Sequence, residues 1–489
     1  MSDASPSTTK ARSASPLTSP TFAFWVLLIL NFLNYLNRYV FVGLTPLIQK
    51  DLKFNDAELG LLGSVFFLVY TVVALPIGYL ADRVARKAIV AGSMFLMSIA
   101  TILTGFFPSL NALLGVKVLL GTGQGAFYPS STPLLAAQFS PSRRARILGT
   151  WTAGALVGAG LGFLMASFFD VQTWRNALYI VGVPGIIMGF LVLLIREKTR
   201  HEEDPAPVAS AAPQKTFFAR LRDYWSIPTF RTIVGMHAAG FFALTSIAFW
   251  LPIYLANTYG RTVNQYDQSG IKVGAPVPSH FGDAGLSPGL VPVLAGGVVL
   301  LGGILGNLYG PRMARSLARR SSGARVLAGG LGFLLAAPMV IISIGSPWLL
   351  GALPFYAQAN LSTQLAIGVG VFTVFALAGS FFLNVYNGPT TAALLDVIPA
   401  EERSAAGGAE LTMAHLLGDV YATVLVGVVA VFLTRQLGGE QIGLALIVLA
   451  PIALVISGVI GIRGARHYAE DVQRLGTTAE AMTGQAVPV

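Results

Sequence analysis

Along this chain apolar residues run in long unbroken stretches rather than in the short alternations of a water-soluble fold. A helix needs about twenty apolar residues to cross the hydrocarbon core of a bilayer. By that measure the sequence predicts membrane helices at 22–48, 58–80, 88–107, 111–138, 147–169 and 175–195, and a second set at 229–257, 288–309, 326–345, 364–395, 405–433 and 442–463. Between the sets lies REKTRHEEDPAPVASAAPQKTFFARLRDYW, charged and rich in Pro and Ala, which reads as a linker. The opening MSDASPSTTKARSASPLTSP has no apolar core, so it reads as a polar tail and not as a signal peptide. The expected organisation is a tail over 1–20, a six-helix bundle over 21–195, a linker over 196–228, a second six-helix bundle over 229–465 and a tail over 466–489. The fold class expected is an all-α membrane protein, with twelve transmembrane helices in two pseudo-symmetric bundles.

Two internal echoes support a duplicated design. GYLADRVARK, starting at Gly78, returns in weak form as GNLYGPRMAR at Gly306. Arg144 and Gly149 share an R-x4-G spacing with Arg403 and Gly408, at the starts of the fifth and eleventh segments. Bundles built from repeats, with a site between them at mid-membrane, are the plan of an alternating-access transporter.

Composition agrees with the hydropathy pattern. Hydrophobic residues make up 54% of the 489 and charged residues only 11%, against roughly 25% in soluble domains. The net charge of +10 is not a nucleic-acid signal, because the basic residues gather in RVARK (83–87), RRAR (143–146) and PRMARSLARR (311–320), all on the side of the termini. The positive-inside rule then places both termini in the cytoplasm, and a bacterial inner membrane is the expected location. There is no cysteine, and no nucleotide loop, metal-ligand spacing or nucleophile elbow. GTGQG at 121–125 lies inside an apolar segment rather than after a strand, so its glycines serve helix packing and not phosphate binding. Neither enzymatic activity nor a cofactor or metal is expected. The chain is expected to act as a monomer among membrane lipids.

Polar residues inside the predicted helices are the candidate chemistry, since burying an ionisable group in a membrane is costly without a partner or water. In NFLNYLNRYV, Asn31, Asn34 or Tyr35, and Arg38 share one helix face. Lys117, Gly121, Gln124 and Tyr128 repeat the spacing on the fourth segment, and Asn384, Asn387 and Thr391 on the tenth. His415 and Asp419 stand four apart in the eleventh segment, placed to share a proton or to bond for packing, and Glu410 precedes them. His237, the one histidine of the seventh segment, reads as a satisfied core residue.

GYLADRVARK resembles the signature loop of the major facilitator superfamily, with Ala85 departing at a usual glycine. The resemblance implies a conformational latch at the cytoplasmic face. Gly78 would allow close helix approach, Asp82 would sit at a helix N-terminus, and Arg83, Arg86 and Lys87 would pair with carboxylates. Within the superfamily, NYLNRYVFVGLTPLIQ, the stretch FFALTSIAFWLPIYL and above all HLLGD (415–419) resemble the Spinster family. The anion–cation symporters share the N-Y-L-D-R-like start and the F-Y-P of the fourth segment and remain an alternative, as drug or organic-anion carriers. The Spinster pattern has Asp, Arg and Glu where this chain has Asn37, Lys117 and Gln124. Two carboxylates that would carry protons are thus amides here, leaving Lys117 and the His415–Asp419 pair as coupling candidates beside Asn37. The implied substrate is an amphipath with an anionic head, of lysophospholipid or sphingosine-phosphate type. Arg38, Asn34, Tyr35, Lys117, Gln124, Tyr128, Asn384 and Asn387 are its expected contacts, and protons are a candidate coupling ion.

Overall fold

The computed structural model of the chain describes residues 19–81, 84–197, 217–261, 281–399 and 402–483. The first half contains α1 (Pro20–Leu52), α2 (Asp56–Leu80), α3 (Arg86–Phe106), α4 (Leu110–Ala136), α5 (Pro141–Ala166) and α6 (Trp174–Leu193). A short helix α7 (Phe217–Ser226), inside the predicted linker, leads to α8 (Pro228–Tyr259), α9 (Leu290–Ala318) and α10 (Ala324–Gly351). After the single turn α11 (Pro354–Ala357) come α12 (Leu361–Asn384), α13 (Asn387–Asp396), α14 (Arg403–Leu417), α15 (Asp419–Leu437) and α16 (Ile442–Thr483). With α12–α13 and α14–α15 each counted as one broken span, the described residues form the twelve expected spans. Eleven of them are long and apolar enough to cross a membrane by composition alone. The twelfth, α4, is diluted by Lys117, Gln124 and its glycines, serines and threonines.

Several helices overrun the apolar stretch that predicts them. α5 starts at Pro141 rather than 147, α9 continues to Ala318 rather than 309, and α16 continues to Thr483 rather than 463. Pro141 suits the first turn of a helix, where its missing N–H has no intrahelical acceptor in any case, so a helix begins there although the arginines that follow lie beyond the apolar run.

Two spans are broken where the sequence predicts continuous helices. Between α12 and α13 the helical hydrogen-bond ladder is interrupted at Val385 and Tyr386, whose backbone stays near helical dihedrals (φ −60°, ψ −29° and φ −66°, ψ −35°), because Pro389 lacks the N–H that would bond to the Val385 carbonyl. Between α14 and α15 a single residue, Gly418 (φ −105°, ψ −77°), departs from helical geometry.

Packing follows the predicted duplication. In the first half α1 packs on α5, α2 on α4 and α3 on α6, and in the second α8 packs on α14–α15, α9 on α12 and α10 on α16. Counted by span, 1–5, 2–4 and 3–6 recur as 7–11, 8–10 and 9–12. The halves meet mainly through α2 with α15 and α5 with α9, at the end of the bundle opposite the termini. There the Thr423 hydroxyl donates to the Gly60 carbonyl (2.8 Å) and lies 2.9 Å from Ser64 Oγ. A Cβ at Gly60 would stand 2.4 Å from the Thr423 carbonyl oxygen, and one at Gly427 2.3 Å from that of Asp56. Backbone contact this close admits only glycine. Gly60→Leu is therefore expected to open this end and shift the resting population by tenfold or more, on the order of the 1–3 kcal/mol that overpacking costs. Spin-label distances between α2 and α15 would read the shift, and unchanged distances would refute it.

Candidate functional site

Between the halves lies a cavity of about 470 Å³, within the range of small-ligand sites. Its walls come from α1, α2, α4 and α5 on one side, and from α8, α9, the α12–α13 break and α14–α15 on the other. Of the residues expected at a substrate site, Tyr35, Arg38, Lys117, Gln124, Tyr128, Asn384 and Asn387 line it, as do His415 and Asp419.

Arg38 is held on two sides. Its Nε donates to Gln124 Oε1 at 3.0 Å, and its guanidinium carbon lies 5.1–5.4 Å from the ring centroids of Tyr70, Phe66 and Tyr35. Ring faces attract a cation through their quadrupoles, by about 0.5–2 kcal/mol each depending on desolvation, without neutralising it. Gln124 is 1% exposed, and its Nε2 has no hydrogen-bond partner. Because Oε1 is taken by Arg38, this amide presents its N–H side. The site therefore offers a guanidinium, with an unused amide donor buried beside it, and Asp419, already bonded to His415 and Thr245, is the one carboxylate among the described lining residues.

Lys117 stands two turns further along α4, about 10 Å toward the end opposite the termini. It is 3% exposed, and its Nζ lies 3.0 Å from the Phe41 ring centroid. Among the described residues it makes no hydrogen bond or ion pair.

Across the cavity His415 Nδ1 lies 2.5 Å from Asp419 Oδ2, and Thr245 donates to the other carboxylate oxygen at 2.8 Å. The shared bond expected from the spacing is present even though Gly418 breaks the helix between the two residues. Asn384 and Asn387 flank the α12–α13 break, where their amides donate to the Ser380 carbonyl (2.8 Å) and to Asn307 Oδ1 (2.9 Å). Thr391, on the same predicted face, donates instead to the Asn387 carbonyl.

Some expected residues fall elsewhere. Asn31, Asn34 and Asn37 are buried away from the cavity. Asn31 donates to the Trp151 carbonyl of α5 (2.8 Å) and Asn37 back to its own helix at Leu33 (2.8 Å). Asn37 and Arg38 are neighbours in sequence but differ by about 100° around the helix, so a side chain at 37 does not reach the guanidinium's side of α1. In the expected latch, Gly78 lies in the last turn of α2, while Asp82 and Arg83 lie outside the described residues. Arg86 and Lys87 open α3, where the Glu197 carboxylate accepts from both backbone N–H groups (2.8 and 3.4 Å). Lys87 Nζ donates to the carbonyls of Leu193 and Ile195 at the end of α6. In this state these bonds tie α3 to α6 within one half and make use of both helix dipoles. Glu197→Gln is expected to lower the thermal midpoint by a few degrees, with Lys87→Ala adding little beyond it because both act on one junction.

Sequence reasoning did not find the aromatic wall around Arg38. Phe66 and Tyr70 lie four apart on α2 but sit in an apolar stretch, where they look like any lipid-facing pair. It also did not find the partners of His237, whose ring joins Glu410 of α14 and Thr390 of α13.

The comparisons with known proteins agree with this geometry. Residues 27–418 match the model of the Major Facilitator Superfamily. The chain is 27% identical over 419 residues to protein spinster homolog 1 of Homo sapiens, covering 84% of this chain and 73% of that one. It is 26% identical over 443 residues to protein spinster homolog 3 of Danio rerio, covering 88% and 81%. Among solved structures, a bacterial homologue of the human lysosomal transporter Spinster, inward-facing and unoccupied, superposes with a TM-score of 0.70 at 18% identity, over 94% of this chain and 98% of that one. The nucleoside transporter NupG shares the fold at a TM-score of 0.63 and 14% identity, over 90% and 98%. With two six-helix halves around a central cavity and the superfamily model matched over most of its length, the chain belongs to the major facilitator superfamily of membrane transporters and is similar to its Spinster members.

Proposed function

We propose that this transporter carries an amphipath with an anionic head, of lysophospholipid or sphingosine-phosphate type, by alternating access. The observation that carries the reading is the Arg38 guanidinium, which makes no ion pair among the described residues, beside the unpartnered Gln124 amide, in a cavity whose remaining wall is mostly apolar and aromatic apart from the polar groups named above. A buried cation without a counter-ion is strongly unfavourable, and an anionic headgroup bound at Arg38 and Gln124 removes that cost. The apolar wall then takes the chain of the amphipath. With the N-terminal tail in the cytoplasm, as the basic loops imply, the closed end faces outward and the cavity opens inward.

A thermal-shift screen of the purified protein tests the reading with lysophosphatidic acid, lysophosphatidylcholine, an aryl carboxylate and a lipophilic cation. Stabilisation by the lysolipids above the others is expected. Stabilisation by the aryl carboxylate alone would favour an organic-anion carrier, and by the cation alone would refute an anion site at Arg38.

Gln124 also tunes selectivity. Gln124→Glu would keep the acceptor for Arg38 but replace the free donor with a second carboxylate oxygen. Affinity for anionic ligands is expected to fall by about tenfold to a hundredfold, from the 1.5–3 kcal/mol of a charge-assisted hydrogen bond. An unchanged dissociation constant would remove Gln124 from the site. With amides at 37 and 124, a proton gradient is expected to drive flux only weakly, through His415–Asp419 and Lys117. Flux in proteoliposomes with and without an imposed gradient measures this, and strong gradient-driven flux that survives Asp419→Asn and Lys117→Met would overturn it.

A further inference from the structure

Behind the cavity wall formed by Phe241 lies a second imidazole–carboxylate pair. His237 of α8 is 4% exposed and Glu410 of α14 is 6% exposed. His237 Nδ1 lies 2.6 Å from Glu410 Oε1, and Nε2 lies 2.9 Å from Thr390 Oγ1. The Thr390 hydroxyl has one proton, and it donates that proton to the Tyr386 carbonyl at 2.8 Å. With that bond made, Thr390 accepts from the ring and Nε2 is the donor; with the hydroxyl turned to Nε2, the Tyr386 carbonyl keeps the Thr390 backbone N–H (3.0 Å) and Nε2 accepts. Nδ1 then faces a carboxylate oxygen at a distance that requires a proton between them. Whether Nδ1 or Oε1 carries that proton, the pair is neutral in the first arrangement and carries one negative charge in the second, so the two differ by one bound proton.

We propose that His237, Glu410 and Thr390 form a proton-binding site whose occupancy sets how α14 sits against α8. Releasing one proton leaves two outcomes: either the ring keeps Nδ1–H toward Glu410 and Nε2 draws the Thr390 hydroxyl off the Tyr386 carbonyl at the α12–α13 break, or the Nδ1–Oε1 contact opens and α14 moves. α14 ends at the Gly418 break and carries His415 into the cavity, so its displacement reaches the cavity directly. A second route runs through the other ring nitrogen, from Thr390 to the Tyr386 carbonyl at the α12–α13 break between Asn384 and Asn387. The rings form a stack that connects the two pairs. His237 lies on Phe241 (centroids 5.4 Å, 18°), and Phe241 lies on His415 (4.9 Å, 30°). Titratable groups facing the pair are Tyr386 from the α12–α13 break, edge-on to His237 at 4.9 Å, and His415 with Asp419 beyond Phe241. From α16, Ser457 donates to the Met236 carbonyl beside His237 (2.7 Å), which fixes this turn of α8. The site adds a second proton position to the carrier reading above, and relies on that reading only for its transport measurement.

The test uses the full chain labelled with 15N-histidine in lipid nanodiscs at pH 7. The chain has five histidines, and H237Q identifies the His237 signals. The expected spectrum shows Nε2 protonated and Nδ1 protonated or sharing a proton. In E410Q, Nδ1 is expected to become an unprotonated acceptor while Nε2–H is retained. An unprotonated Nε2, or an Nδ1 signal unaffected by E410Q, would overturn the proposal. The second arm measures flux of fluorescent lysophosphatidic acid in proteoliposomes from pH 5.5 to 8. E410Q and the charge-free double variant H237Q/E410Q are expected to flatten the profile and change flux several-fold, and profiles matching the parent would refute the link to the cavity. The double variant stands in should E410Q not fold. If the parent chain moves no lysolipid at any pH, the substrate reading fails, and the histidine spectra still decide the proton site.

Discussion

Replacing Arg38 by alanine is expected to abolish binding of anionic amphipaths while leaving insertion and folding intact. Among the described residues Arg38 supplies the one guanidinium that lines the cavity, and a bound headgroup would exchange water for a charge-assisted, bidentate contact there. Truncating a buried charged contact of this kind costs about 2–5 kcal/mol, or a loss of affinity between roughly thirtyfold and several thousandfold. Folding is expected to survive, because Arg38 is tied to its surroundings by side-chain hydrogen bonds to Gln124 and Tyr70 and by ring faces that can pack without it. Arg38→Lys should recover only part of the affinity, since an ammonium keeps the charge but lacks the planar fork. Titration of the purified variants with lysophosphatidic acid decides the matter. Equal affinity in Arg38→Ala and the parent would place the headgroup elsewhere, with Lys117 the next cation to test.

Cross-linking the closed end is expected to stop transport altogether. Ser64 of α2 and Thr423 of α15 bring their hydroxyl oxygens to 2.9 Å across the two halves. The chain has no cysteine, so Ser64→Cys with Thr423→Cys introduces the sole thiol pair. Disulfides require β-carbons about 3.5–4.5 Å apart, a spacing compatible with hydroxyls already in contact. Oxidation should fix the halves in this state and reduce flux to background, and a reductant should restore it. Ligand binding should persist in the oxidised protein, because the cavity is formed in this state. Continued flux from fully oxidised protein would show that α2 and α15 do not separate during the cycle.

The two experiments address different parts of one cycle. Arg38 concerns what the cavity holds, and the Ser64–Thr423 contact concerns which side the cavity faces. A carrier requires both, since tight binding without separation of the halves moves nothing, and movement without differential binding selects nothing.

Much of this was legible in the sequence because the membrane restricts what a chain can do. Backbone groups in lipid must bond internally, so apolar runs of sufficient length become helices. Twelve spans, their division into two sets of six and the candidate polar faces of the first and fourth follow from that rule together with helical periodicity. The His415–Asp419 bond was also legible, because a spacing of four encodes a contact within one turn. Hydropathy reports where lipid lies rather than where a helix ends, so the overruns of α5, α9 and α16 were not visible. Nor were the breaks at Tyr386 and Gly418, where one proline and one glycine act within otherwise helical patterns.

What the tertiary structure alone decided was which polar residues meet. Helical spacing places Asn31, Asn34 and Arg38 on one stripe, but a stripe on a packed helix has neighbours on either flank. Asn31 is taken up by the Trp151 carbonyl of α5 and Asn37 by its own helix, while from the predicted stripe Tyr35 and Arg38 line the cavity. The pairs Arg38–Gln124, His237–Glu410 and Ser64–Thr423 join residues 86, 173 and 359 positions apart, and no local periodicity carries information over such distances. The sequence by itself determined the helices, their number and the kinds of chemistry they bring into the membrane. Packing decided the rest, because a buried charge is stabilised by the particular groups that the folded chain brings against it, and those come from other helices.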